Sequence, residues 1–281
     1  MKVLITFDDR VRQDSTAIYF YHAFCKIADV VRAYNEELPS IDGSNFDLCI
    51  KIDDGLLSHR FPKKFSEVTK TAYYCIDSHL DLKNRMELAE EGNIEYIFTA
   101  QKPASQQKWH TDKVKWVPLG CDPNFHMVKG KRTKLYDVGF VGNVNPHWQM
   151  CRLERLDKLF KAFPNYYFGA VFFKDMAEKF SECKIVFNSS VLDDINMRHF
   201  ESMASGSMLL TNKLNWQGMF TPDKHFVEYD GDEDMIRKAK YYIDHEVERE
   251  RIANHGQMEV LSKHKYIDRV EEIIKTCFTR K

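Results

Sequence analysis

Residues 184–212 read KIVFNSSVLDDINMRHFESMASGSMLLTN. Ile185-Val186-Phe187 is an apolar run of buried-strand length, and a polar loop follows it. Met197 to Ser205 has helical spacing, Gly206 supplies a helix stop, and Met208-Leu209-Leu210 restarts a strand. On a wheel of about 100° per residue, Met197, Phe200 and Ala204 share one face, and Arg198, Glu201 and Ser205 share the adjacent one. Strand, polar loop and helix in that order form the carboxyl edge of an open α/β sheet, where such sheets hold polar ligands. The segment by itself leaves two readings open: Arg198 and Glu201 pair on a solvated face, or they front a ligand.

The same unit recurs upstream. Tyr136 to Asn143, YDVGFVGN, is an apolar strand running into a Gly/Asn loop. A helix is expected from Trp148 to Phe163, with Leu153, Leu156 and Phe160 on its buried side. Gly142 and Asn143 would let backbone N–H groups approach phosphate oxygens. Arg152 and Arg155 fall in or just past the first turns of that helix and could bind a diphosphate. Tyr166 to Phe168 reads as a strand and Phe173 to Cys183 as a helix. Beyond Asn212, Trp216 to Phe220 reads as a loop and Phe226 to Tyr229 as a short strand. The remainder to Cys277 reads as helix in two or three pieces.

The first half has the same alternation. Lys2 to Phe7 is a strand, Asp8 to Asp14 a polar loop, and a helix capped by Asp14 or Ser15 is expected to run to about Ala33. The loop has no GxGxxG pattern, which weighs against a dinucleotide site. Phe46 to Lys51 and Thr71 to Ile76 are strands, and Asp53-Asp54-Gly55 is a turn. Asp77-Ser78-His79 ends the second of these strands. Either His79 faces the crevice, where an imidazole can exchange a proton with a hydroxyl, or Asp77 or Ser78 caps the next helix, Leu82 to Glu91. Glu95 to Phe98 is a strand, Ala104 to Trp109 a short helix, and Val114 to Val117 a strand. Pro118 to Pro123 breaks the pattern. His126, Lys129, Lys131, Arg132 and Lys134 then read as a basic, exposed link.

A chain of 281 residues is near the size at which one core divides into two. The expected division is 1–125 and 126–265, with 266–281 a helix that folds back on the first domain. Lys and Arg number 41 against 42 Asp and Glu, so a strong global attraction for nucleic acid is excluded, though a local groove is not. The seven Cys form no CxxC pair, which points to buried thiols in a reducing cytoplasm. No signal peptide is expected from MKVLITF, and no run approaches the roughly 18 apolar residues of a membrane span.

The second half resembles glycosyltransferases of the two-Rossmann-domain type, GT-B, and is similar to their CgeB-like spore-maturation branch. The resemblance rests on DVGFVGN at 137–143, on the stretch at 184–212 and on FVEYD at 226–230, with YYCIDSH at 73–79 a looser extension. It implies an α/β fold of two Rossmann-like parallel-sheet domains facing across a cleft. It also implies a nucleotide diphosphate sugar as donor (UDP-, GDP- or TDP-linked), with no tightly bound cofactor and no metal. Carried over by position, Glu201 would accept the ribose hydroxyls, with Asn196 and Arg198 in the stretch before it. Asp193 stands where related retaining enzymes have Glu and would contact the donor sugar, with Asp194 its rival. Gly142 and Asn143 would meet the diphosphate, assisted by Arg152 or Arg155, and His79 or Asp77 would face the sugar from the other domain.

Departure of a diphosphate needs stabilisation of growing negative charge, which guanidinium and backbone N–H groups supply without a metal. Asp193-Asp194 is adjacent, not spaced as DxD, and the expected reaction is metal-independent with retention at the anomeric carbon. Asp77 or His79 would be the base if it inverts. The acceptor hydroxyl stays open between a glycan, a lipid carrier, a small molecule, a protein and a modified nucleobase. A non-catalytic sugar-nucleotide binder and an epimerase are the competing expectations.

Overall fold

The computed structural model describes residues 1–10, 15–56, 58–102, 109, 114–130, 132–190, 194–214 and 218–279, with 146–148 as backbone only. The chain divides into two compact units, one of Met1–Leu119 with Tyr266–Lys281, the other Gly120–Lys265. The division thus falls at 119/120, ahead of the expected 125.

In the first unit, β1 (Lys2–Thr6), β2 (Asp29–Ala33), β3 (Leu48–Ile52), β4 (Lys70–Cys75), β5 (Tyr96–Thr99) and β6 (Val114–Trp116) form one sheet in the order β2-β1-β3-β4-β5-β6. Every pairing is parallel. The helices α1 (Thr16–Phe24) and α2 (Leu82–Glu91) belong to crossovers between strands. The C-terminal helix, Tyr266–Phe278, packs on α1, with Tyr266 stacked on Tyr19 at 5.3 Å.

Two expectations fail here for local reasons. The helix from Ser15 does not reach Ala33: it ends at Phe24, and Asp29–Ala33 is an edge strand on β1. Paired β-branched residues, Val30 and Val31, favour the extended chain, and the sheet edge satisfies their backbone. Nor do Asp77 or Ser78 cap α2; Asp81 does, accepting from the Asn84 N–H at 3.4 Å. Ser15 does cap α1, through the Ala17 N–H. The short helix expected at 104–109 lies almost wholly outside the described residues.

The second unit opens with α3 (Pro123–His126), and then alternates β7 (Tyr136–Val141), α4 (Pro146–Ala162), β8 (Tyr166–Gly169), α5 (Phe173–Ser181), β9 (Cys183–Phe187), α6 (Met197–Ala204) and β10 (Met208–Asn212). β11 (Val227–Tyr229), α7 (Asp232–Asp244) and α8 (Glu246–Lys263) complete it. The sheet order is β11-β10-β9-β7-β8, all parallel. Phe140, Leu156, Leu159, Phe187, Leu210 and Tyr229 are core residues with 3% exposure or less, each contributing about 1.5–3 kcal/mol by leaving water. Gly206 ends the turn after α6 at φ +81, as its place in the sequence predicts. The basic link is not simply solvated: Lys134 Nζ donates to Ser181 O, Gly206 O and Ser207 Oγ. His126, placed in that link by the sequence reading, is fully buried, because it ends α3, which packs on α5 and α6. No helix among the described residues is long and apolar enough to cross a membrane.

Candidate functional site

The carboxyl ends of β7 and β9 carry the polar centre of the second unit. Phe140 is its floor. The Arg198 guanidinium lies over that ring at 4.1 Å and Arg152 at 5.9 Å. Arg198 reaches from the first turn of α6 to β7: Nε and Nη2 donate to Val141 O at 3.1 and 2.8 Å, and Nη1 donates to Asn188 Oδ1 at 2.7 Å. It therefore does not pair with Glu201 on a solvated face. Gly142 makes room for it, since a Cβ there would lie 2.4 Å from Arg198 Nη2, at φ +143. The Gly142 N–H is spent on Gly169 O at 3.0 Å, so the expected approach of that N–H to a phosphate is replaced by a steric role. Asn143 is exposed.

Arg152 is 7% exposed, and its Nε donates to Ser189 O at 2.8 Å. Among the described residues, neither Arg152 nor Arg198 has a carboxylate within ion-pair distance. Burial and then the charge of Arg152 pull Arg198 down to about 9, with Glu201 opposing; it stays a cation at neutral pH. Burial likewise lowers Arg152, against Tyr229 and Asp194. Two like charges with no carboxylate at ion-pair distance among the described residues are costly unless an anion joins them. Arg155 differs: it donates to Ser189 Oγ at 2.9 Å and to Asp232 Oδ1 at 3.2 Å, and so is already neutralised.

Sequence reasoning missed Asn188, fully buried at the end of β9. Its Oδ1 accepts from Arg198 and from Asn196 Nδ2 at 3.3 Å, and its Nδ2 reaches Ser190 Oγ and Thr211 Oγ1 at 3.0 and 3.1 Å. The only signal was an Asn directly after an apolar strand. Asn196 precedes α6 without a side-chain capping bond. His199, buried beside this cluster, is held down to about 3 chiefly by burial. Glu201 is 7% exposed, with Oε1 3.9 Å from His126 Nε2. Burial holds His126 down to about 3, so this is a neutral imidazole beside a carboxylate, not an ion pair. Asp193 lies outside the described residues; Asp194 is partly buried.

In the first unit, Asp77 adopts φ +55, a left-handed conformation that Asp tolerates better than most residues. The loop is anchored by Asp53, from the Asp53-Asp54-Gly55 turn, whose spacing in sequence gives no sign of this role. Asp53 Oδ2 accepts from Arg85 Nε at 2.7 Å, Tyr73 OH at 3.0 Å and the Ile76 N–H at 3.2 Å. His79 Nδ1 is buried with no hydrogen-bond partner among the described residues. Burial lowers its pKa, Asp77 opposing and Arg85 assisting. Of the loop at 8–14, Asp8 is buried and held to about 2 chiefly by its hydrogen bonds from Arg10.

A family model described as glycosyl transferase-like matches residues 128–275, over half of the chain. The chain belongs to that family. No curated protein sequence matches this glycosyltransferase. Among solved structures it is similar to Anabaena Alr3699/HepE in complex with UDP and glucose, with 12% identity, TM-score 0.73, and coverage of 98% of this chain and 99% of that one. It is also similar to an alpha-glucosyltransferase in complex with UDP and DNA containing an HMU base (11%, TM-score 0.70, 99% and 100%). A DNA-modifying beta-glucosyltransferase gives 14%, TM-score 0.67, and 99% of both chains. At these identities the likeness is one of fold: two parallel-sheet α/β domains of GT-B type.

Proposed function

We propose that this glycosyltransferase takes a nucleoside diphosphate sugar (UDP-, GDP- or TDP-linked) as donor, with the diphosphate against Arg152 and Arg198 and the ribose hydroxyls at Glu201. The carrying observation is the arginine pair over Phe140, Arg152 buried and Arg198 half-buried, with no carboxylate within ion-pair distance among the described residues. A diphosphate supplies the missing charge, and its hold strengthens as the leaving group accumulates charge. UDP and UDP-glucose in the similar structures support the donor class. With two guanidiniums in this role the reaction needs no metal, and we assign it retention, with Asp193 or Asp194 beside the donor sugar. Asn188 holds Arg198 and Asn196 braces Asn188, Gly142 clears the arginine's seat, and Asn143 and Arg155 border the site.

The acceptor is a hydroxyl, and the first unit supplies its chemistry. Asp77 and His79 stand at its sheet edge, and burial keeps His79 neutral at pH 7, fit to accept a proton if the reaction inverts. The similar structures hold both modified DNA and, in S. aureus TarM, Fondaparinux and alpha-GlcNAc-glycerol, so the class is left at a hydroxyl. We further place the chain in the CgeB-like branch and in the cytoplasm, on the motifs at 137–143 and 184–212 and on seven cysteines that form no CxxC pair.

The test is nucleoside diphosphate release from a panel of UDP-, GDP- and TDP-sugars with hydroxyl acceptors. Release by the wild type that is lost in a folded Arg198→Ala variant supports the reading. Equal release by that variant overturns it.

A further inference from the structure

His126 has no part in the donor scheme, yet it is buried against the residue on which that scheme depends. It closes α3, where Asp122 Oδ1 accepts from the Asn124 N–H at 2.9 Å. Phe125 seats on Phe173 with centroids 5.3 Å apart, so the turn is held from both sides. The Asp122 N–H donates to His126 Nδ1 at 3.0 Å. That bond assigns the tautomer: a neutral ring accepting at Nδ1 carries its proton on Nε2. Nε2 is the atom 3.9 Å from Glu201 Oε1. A neutral N–H can orient a carboxylate without cancelling its charge, whereas an imidazolium would compete with ligand hydroxyls for it.

Resting on the donor reading above, we infer that His126 is a positioning residue that turns its Nε2–H to the Glu201 carboxylate and holds it to accept the paired 2′- and 3′-hydroxyls of a nucleoside. At 3.9 Å the contact is longer than a hydrogen bond. It tightens when the carboxylate engages the ribose, as ligand-free sites commonly do on binding. The arrangement makes the donor site selective for ribonucleotides over 2′-deoxyribonucleotides, and places part of that selectivity on a residue that never touches the ligand.

The experiment is calorimetric titration of the full chain with UDP and GDP, each beside its 2′-deoxy counterpart. The proteins are wild type, Glu201→Ala, His126→Ala, His126→Gln and the His126→Ala/Glu201→Ala double variant, with melting followed in parallel. The wild type is expected to prefer a ribo form by about tenfold or more, and Glu201→Ala to abolish the preference. His126→Ala should remove most of it, His126→Gln should restore it through its amide N–H, and His126→Ala should add nothing once Glu201 is gone. If His126→Ala does not fold, His126→Leu replaces it, filling volume without an N–H. Equal loss of ribo and deoxyribo binding, or the same loss with and without Glu201, overturns the inference alone. Undiminished binding by Glu201→Ala, or no diphosphate binding by the wild type, overturns the donor reading and the inference with it. Binding by the wild type without ribo preference overturns the inference.

Discussion

Replacing Gly142 by Ala tests how the arginine pair is seated. The new Cβ would stand 2.4 Å from Arg198 Nη2, on a backbone at φ +143. The backbone cost alone is about 1–3 kcal/mol. The clash falls on the tip of a flexible side chain, which would ordinarily move away cheaply. Here the tip is tied to Val141 O and Asn188 Oδ1 and lies on Phe140, and each bond given up by a charged group costs about 1.5–3 kcal/mol. Arg198 displaced by even one such contact should weaken diphosphate binding by about 10- to 100-fold. Denaturant unfolding measures the stability loss, and titration with UDP, GDP and TDP measures the affinity. In an Arg198→Ala background the clash has gone, so Gly142→Ala should cost only backbone strain and leave affinity unmoved. A Gly142→Ala protein that binds nucleotide like wild type, while Arg198→Ala does not, would refute the role given to this glycine.

Other perturbations follow from the same geometry. Arg152→Ala should reduce diphosphate affinity by a similar factor while stability holds or rises, because a buried cation with no carboxylate at ion-pair distance among the described residues has been removed; binding and melting measured together check this. His126 and His199 are both held to about 3 in the folded protein against about 6.5 unfolded. The unfolded chain binds the extra protons, so stability should rise with pH between about 3 and 6.5, by about 1.4 kcal/mol per unit for each histidine. Unfolding free energies at pH 4, 5, 6 and 7 test the slope, and His199→Asn should lower it by about half. Arg85→Ala strands Asp53 in the interior and should cost the first unit about 3–5 kcal/mol, read by denaturant titration.

The alternation of strand and helix was legible because buried parallel strands read as apolar runs and helices as 3.6-residue spacing. α2 was legible to its limits, Leu82 to Glu91. β2 was not, because Val30 and Val31 prolong the apolar pattern of α1, and only the distant edge of β1 decides between helix and strand. His126 sits among lysines and arginines in sequence, and its burial comes from the packing of α3 against α5 and α6. The helical wheel put Arg198 beside Glu201, yet the arginine turns to Val141 O, 57 residues away. Local pattern ranks residues by face, and it cannot price a partner brought in by the sheet. For the same reason Gly142 was legible as special, but for its N–H and not for the space it leaves to Arg198.

The most direct measurement is a crystal structure of the chain soaked with UDP-, GDP- and TDP-sugars. One donor is expected ordered in the second unit, its diphosphate oxygens within hydrogen-bond distance of Arg152 and Arg198 and its ribose on Glu201. A donor ordered elsewhere, with both guanidiniums still turned only to Val141, Asn188 and Ser189, would contradict it.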